Sequence, residues 1–105
     1  MTEISEIQIH EAKRRLDQKG CLFVDIRDPD SFRSAHIPGA IHLHDANLQE
    51  FIRTTGKESP VVVYCYHGNN SLGATAYLLR SGFRNVVSIS GGFEAWRQVY
   101  EHESE

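Results

Sequence analysis

Val61-Val62-Val63-Tyr64 is the stretch that most narrows the possible folds. Four consecutive apolar residues leave no polar face for water, so a strand here needs cover on both sides. That is the pattern of a strand in a parallel sheet packed between helices. Cys21-Leu22-Phe23-Val24-Asp25 is a second compact apolar run of this kind, and residues 85–90 supply a last strand. Minor strands are expected around Ile7 and Ile9 and over residues 41–43.

Helix-like segments separate these runs. Ala12 and Leu16, four apart within residues 10–19, lie on one face, and Gly20 follows as a stop signal. Asp28 before Pro29 reads as an N-cap with proline at the first helical position, opening a short helix to about Ser34. Asp45 can cap a helix carrying Leu48, Phe51 and Ile52, and residues 71–81 form a helix stopped by Gly82. Gly91-Gly92 leads into a final helix bearing Phe93, Trp96 and Val99, before an acidic tail over residues 101–105. Strands alternating with helices predict an α/β fold, an open parallel sheet with helices on both faces. A chain of 105 residues suits one domain, residues 1–105.

The formal net charge is -3, with both signs interspersed along most of the chain. That balance argues against nucleic acid or an anionic membrane as the main partner, since both reward a basic face. No apolar run approaches the roughly 18 residues of a membrane span, and the polar start MTEISEIQIHEAKRR lacks the apolar middle of a signal peptide. The expected location is the cytoplasm. In a reducing compartment Cys21 and Cys65 are read separately rather than as a disulfide.

Cys65 stands where ligands collect in an open parallel sheet, at the carboxyl end of a strand. A helix begins about six residues later, and its N-terminus brings unpaired N–H groups and roughly half a positive charge. Both favour a thiolate. Gly68 permits a positive φ, and Asn69 and Asn70 tolerate one better than most residues. A curled loop of this composition would aim its N–H groups at the sulfur as an anion nest. Cys21 has no such loop and reads as a small apolar filler.

Two chemistries suit a reactive thiol here. Phosphate-ester or arsenate chemistry wants an arginine six positions after the cysteine to clamp a tetrahedral dianion. That position is Ser71, preceded by the neutral Asn70. Sulfur transfer asks only for a thiolate and a place to hold a persulfide anion, so the loop favours a sulfurtransferase over a phosphatase or arsenate reductase. A non-enzymatic sulfur carrier or interaction module stays open.

Other residues carry weaker signals. His67 is open to three readings: base to Cys65, substrate contact, or exposed side chain. Tyr66 is a candidate pocket wall. Asp25 and Arg27 at a strand mouth read as an ion pair holding the neighbouring loop, and His36 as a backbone-bonding residue of the turn His36-Ile37-Pro38-Gly39-Ala40. His42 and His44 share a face of a strand, but no third ligand is in view, so no metal is expected. Gly91 and Gly92 read as the close strand-to-helix turn beside the Cys65 loop.

Three separated motifs resemble the rhodanese family. VDIRDPDSFRSAHIPGAIHL, CYHGNNS and SISGGFEAW are similar to its signatures in the right order, and the likeness covers nearly the whole chain. It is nearest to the stand-alone single-domain thiosulfate sulfurtransferases of the bacterial GlpE type. The resemblance implies a rhodanese fold and transfer of sulfane sulfur from thiosulfate through a Cys65 persulfide. It places Tyr66, His67, Gly68, Asn69, Asn70 and Ser71 around that persulfide. Cyanide or a thiol acceptor, such as the dithiol of thioredoxin, would take the sulfur, with no cofactor or metal. Many rhodaneses set a basic residue at the end of this loop; here Asn70, Ser71 and Leu72 stand there.

Overall fold

The computed structural model describes residues 4–105. Its elements run β1 (Ser5–Ile7), α1 (Ile9–Gln18), β2 (Leu22–Asp25), α2 (Pro29–Ser34), β3 (Ile41–His42), α3 (Asp45–Thr54), β4 (Val61–Tyr64), α4 (Asn70–Arg80), β5 (Val86–Ile89) and α5 (Gly92–Trp96). The strands form one parallel sheet in the order β1-β5-β4-β2-β3. This is the expected α/β architecture.

The apolar run of β4 divides between two cores. Val62 and Tyr64 join Phe23, Val87 and Ile89 on the face covered by Ala12 of α1 and by Phe93 and Trp96 of α5. Val61 and Val63 join Val24 and Val86 on the face packed against Leu78 of α4 and Leu48, Phe51 and Ile52 of α3. Val62, Val63 and Tyr64 are wholly excluded from solvent. Burying an aliphatic side chain of this kind contributes about 1.5–3 kcal/mol, so covering both faces of the central strand organises the fold.

Connectivity also selects the place for a site. The chain leaves β2 toward β3 on one side and leaves β4 toward β5 on the other. Strand order therefore reverses between β2 and β4, and their carboxyl ends open a crevice of the kind that binds ligands in α/β sheets. In register, Asp25 stands beside Tyr64, so Cys65 follows at the mouth of that crevice.

Four local details differ from the sequence expectations. Ile9 is the first residue of α1 rather than part of β1. Lys19, not Gly20, takes the left-handed position after α1, with φ 59°. Its N–H donates to the Arg15 and Leu16 carbonyls, and those bonds offset the cost of a side chain at positive φ. His44 rather than Asp45 caps α3: its Nδ1 accepts from the Ala46 N–H at 3.3 Å, while Asn47 Oδ1 accepts from the His44 N–H at 2.8 Å. Asp45 becomes the first helical residue, where its charge still faces the positive helix end. Val99 lies beyond the short α5 and is 55% exposed, because Tyr100 takes the place against Trp96, with ring centroids 5.0 Å apart.

The acidic tail is docked. Glu103 and His36 exchange both backbone hydrogen bonds at 2.8 Å, and the Trp96 indole N–H donates to the Glu101 carbonyl at 2.9 Å. Among the described residues no helix is long and apolar enough to cross a membrane.

Thr75 on α4 is fully buried, yet its hydroxyl finds no hydrogen-bond partner among the described residues. An unmade bond of this kind costs about 1–3 kcal/mol. Thr75→Val, nearly isosteric, is expected to raise stability by about 1 kcal/mol. Urea unfolding would register it as a higher midpoint at unchanged slope; a lower midpoint would refute the assignment.

Candidate active site

The loop after β4 is shaped by the helix that follows β5. The N–H of Phe93 donates to the Cys65 carbonyl at 2.8 Å, and that of Glu94 to the Tyr66 carbonyl at 2.9 Å. With these two carbonyls held toward α5, peptide planarity turns the Tyr66 and His67 N–H groups the other way, and the His67 N–H is one of those that lower the thiol pKa. Close approach makes this possible. A Cβ on Gly92 would stand 2.5 Å from the Tyr66 oxygen and 2.6 Å from the Cys65 oxygen, inside any tolerable contact. Gly68 meets the same limit from the other side, since a Cβ there would lie 2.9 Å from the Gly91 nitrogen. Gly68, at φ +97°, is the only loop residue to use a positive φ. Asn69 is right-handed and Asn70 already opens α4, so the two asparagines do not serve the turn as expected.

Cys65 Sγ sits at the focus. It accepts from the Gly68 N–H and the Ser71 N–H, each at 3.2 Å, and lies 3.4 Å from Ser71 Oγ. Burial pushes the thiol pKa up. The Ser71 hydroxyl, then the N–H groups of Ser71, Gly68 and His67, outweigh burial and bring it below its ordinary value. The donors are neutral, so the site stabilises a sulfur anion without a fixed cation. Ser71 Oγ in turn lies 2.7 Å from Ser88 Oγ on β5, and both serines are fully buried.

Around this focus the remaining candidates divide. Asp25 and Arg27 form a buried pair: Arg27 Nη2 donates to Oδ2 at 2.7 Å, and the Arg27 backbone N–H to Oδ1 at 2.8 Å. The same guanidinium donates to the Ala35 carbonyl and lies 4.3 Å over the Phe93 ring. It thus ties β2, the end of α2 and α5 together. Tyr64 accepts from the Ile37 N–H at 3.0 Å. Burial, then the Asp25 charge, holds its phenol far above the usual pKa and therefore protonated. His36 is buried, donates from Nδ1 to the Phe32 carbonyl at 2.7 Å and stacks on the Phe32 ring. It lies in the wall behind the site rather than at the sulfur.

Tyr66 and His67 are exposed and face each other, with ring centroids 4.9 Å apart. No histidine ring bonds Cys65 among the described residues. Tyr66 borders a depression of about 330 Å³ with Arg27, Ser31, Ser34, Phe93 and Arg97. His42 donates from Nε2 to the Arg27 carbonyl at 2.6 Å, and His44 caps α3. No group of three His, Cys, Asp or Glu side chains converges as for a metal among the described residues. Cys21 is a half-buried free thiol near the opposite end of β2 from Asp25.

Two residues at the site were absent from the sequence reading. Ser88 carried one signal, a hydroxyl two residues from Val86 in an otherwise apolar strand. Arg97 carried none, because its approach to Tyr66 depends on how α5 lies across the loop.

Comparisons with known proteins place the chain in a family. The family model of the rhodanese-like domain matches residues 8–99. The chain is 45% identical over 104 residues to the thiosulfate sulfurtransferase GlpE of Pseudomonas syringae pv. syringae, covering 99% of this chain and 97% of that protein. It is equally 45% identical over 102 residues to the thiosulfate sulfurtransferase GlpE of Tolumonas auensis, covering 97% and 96%. The solution structure of the rhodanese-like domain of the Alr3790 protein from Anabaena sp. shares the fold at TM-score 0.86 and 24% identity, over 99% of this chain and 81% of that one. A parallel sheet with its nested thiol at the β2/β4 crevice, matched along nearly its whole length, belongs to the rhodanese family.

Proposed function

We propose that the protein is a thiosulfate sulfurtransferase in which Cys65 carries sulfane sulfur as a persulfide. The observation that carries the reading is the convergence of the Gly68 and Ser71 N–H groups and the Ser71 hydroxyl on one sulfur. Residues 1–105 would act as one rhodanese domain. Relatives of nearly the same length support that view.

The Cys65 thiolate attacks the outer sulfur of thiosulfate. The S–S bond of the donor breaks, its electron pair leaves with sulfite, and Cys65 keeps the sulfur as a persulfide anion. Charge is conserved, one anion and one dianion going in and the same coming out. A thiophilic acceptor, cyanide or a thiolate, then attacks the outer sulfur, and the electron pair of the breaking bond returns to Sγ. A dithiol partner of the thioredoxin kind would serve in the cytoplasm. The same N–H groups hold the thiolate, the persulfide and the returning thiolate, so no metal or cofactor enters the steps.

The positive charge that the loop lacks lies beside it. Arg97 borders the depression at Tyr66 and, among the described residues, makes only a loose 3.7 Å contact with Glu94, whereas Arg27 there is already paired with Asp25 and Asp30 adds a carboxylate to the lining. That depression is where the sulfonate end of thiosulfate would rest, with its outer sulfur toward Cys65. Tyr66 and His67 would form the exposed rim that an acceptor meets.

Intact mass tests the central step. After thiosulfate the protein gains one sulfur atom, cyanide removes it, Cys21→Ser behaves the same way, and Cys65→Ser never gains it. Loading without repeated turnover would instead identify a sulfur carrier, and Cys65-dependent hydrolysis of an aryl phosphate without loading would identify a phosphatase. The lowered thiol pKa also fixes the direction of pH dependence. Alkylation of Cys65 rises with pH through a midpoint that lies lower than that of an ordinary thiol, which is half-ionised near pH 8.5. A Cys65 profile centred above that range would overturn the nest. Arg97→Ala is expected to raise the KM for thiosulfate about two- to fivefold, the worth of one exposed charge, with the alkylation profile unmoved. An unchanged KM would remove Arg97 from the donor site.

A further inference from the structure

Ser88 is buried on β5, across from Val63 of β4, and among the described residues its hydroxyl bonds only that of Ser71. We propose that Ser88 is a positioning residue for the reacting sulfur: its hydroxyl donates to Ser71 Oγ and so commits the Ser71 proton to Cys65 Sγ. The inference rests on the reading of Cys65 as the sulfur that reacts.

Counting protons supports the direction. Ser88 Oγ, Ser71 Oγ and Cys65 Sγ form a row with two links, 2.7 Å and 3.4 Å long. When the sulfur is an anion, the two hydroxyl protons fill both links, each pointing toward it. When the sulfur is protonated, three protons compete for two links, and one is left without a partner in the row. All three residues are at least 96% excluded from solvent, Cys65 being 4% exposed and the serines 0%, so water is poorly placed to take the odd proton. A buried donor without an acceptor is costly. The row therefore favours the charged sulfur twice, by the bond from Ser71 and by the misfit of the extra proton.

Ser71 alone would not give this result. A serine in the first turn of a helix can rotate its proton toward nearby backbone carbonyls. Donation from Ser88 polarises Ser71 and holds its oxygen as an acceptor toward β5, which leaves the sulfur as the partner for its proton. Thr75, one turn further along α4, is equally buried but joins no such chain. It supplies an internal control.

The test is a double-mutant cycle on the Cys65 thiol pKa, followed by thiolate absorbance in a Cys21→Ala background so that one thiol titrates. Ser71→Ala is expected to raise the pKa by about one unit, the worth of a hydrogen bond to a charged group. Ser88→Ala is expected to raise it by about a third of that. Ser88 acts only through Ser71, so Ser71→Ala/Ser88→Ala matches Ser71→Ala alone. Thr75→Val leaves the value unmoved. An unshifted pKa in Ser88→Ala, or shifts that add in the double variant, would overturn the proposal. A merely structural Ser88 would change stability without this non-additivity. Because the readout is titration, it stands apart from sulfur loading: a normal cycle with no loading by thiosulfate would fail the proposed function and leave the Ser88 assignment in place.

Discussion

Two hydrogen bonds from the start of α5 set the geometry on which the site depends. The N–H groups of Phe93 and Glu94 hold the carbonyls of Cys65 and Tyr66, and each fixed carbonyl sets the next N–H in its own peptide plane, those of Tyr66 and His67, leaving the turn at Gly68 to bring in the rest. The nest around the sulfur is therefore not a property of the CYHGNNS loop alone. It arises where that loop is pressed against the Gly91-Gly92 turn, so closely that any side chain at Gly92 would collide with two backbone oxygens. The thiol loop and the glycine turn, 26 residues apart in the chain, are one structural unit.

Behind that unit lies a second constraint, the buried Asp25–Arg27 pair. A buried ion pair is weak evidence for net stability, because desolvation cancels much of its attraction. Its value here is positional. Asp25 ends β2 beside β4, and Arg27 reaches from it to the Ala35 carbonyl and over the Phe93 ring. Removing either partner would strand a charge in the wall of the site. The pair thus fixes where α5 begins, and α5 in turn fixes which way the thiol loop faces.

Much of this was legible in the sequence, for identifiable reasons. Val61–Tyr64 announced a strand covered on both sides, Asp28-Pro29 announced a helix start, and Cys65 followed by Gly68 announced an anion-binding turn. These signals are local, since the residues that form each feature are adjacent in the chain. The failures share the opposite property. Lys19 takes the left-handed position beside an available Gly20 because the register of α1 decides which residue ends it. His44 displaces Asp45 as a cap because Asn47 answers from within the helix. Tail residues 101–105 read only as an acidic tail, yet the Glu103 backbone pairs with His36, and backbone pairing leaves no mark in side-chain pattern. Ser88 and Arg97 become part of the site only through the packing of β5 and α5, which no spacing in the sequence encodes.

The absence of charge in the nest has a chemical consequence. A cation beside the sulfur would lower the thiol pKa further, but a thiolate loses nucleophilicity as its pKa falls, and the best attacking thiol has a pKa near ambient pH. A permanent charge would also hold the persulfide when it must be given up. Burial pushes the Cys65 pKa up while the neutral donors bring it down, the donors outweighing burial. In the proposed sulfur transfer the positive charge would stand instead on Arg97, beside the depression at Tyr66, where it could meet an arriving dianion and a departing sulfite. Separating recruitment from stabilisation in this way would suit a sulfur that is accepted and released in every cycle, and a reactive cysteine would then need no arginine in its loop.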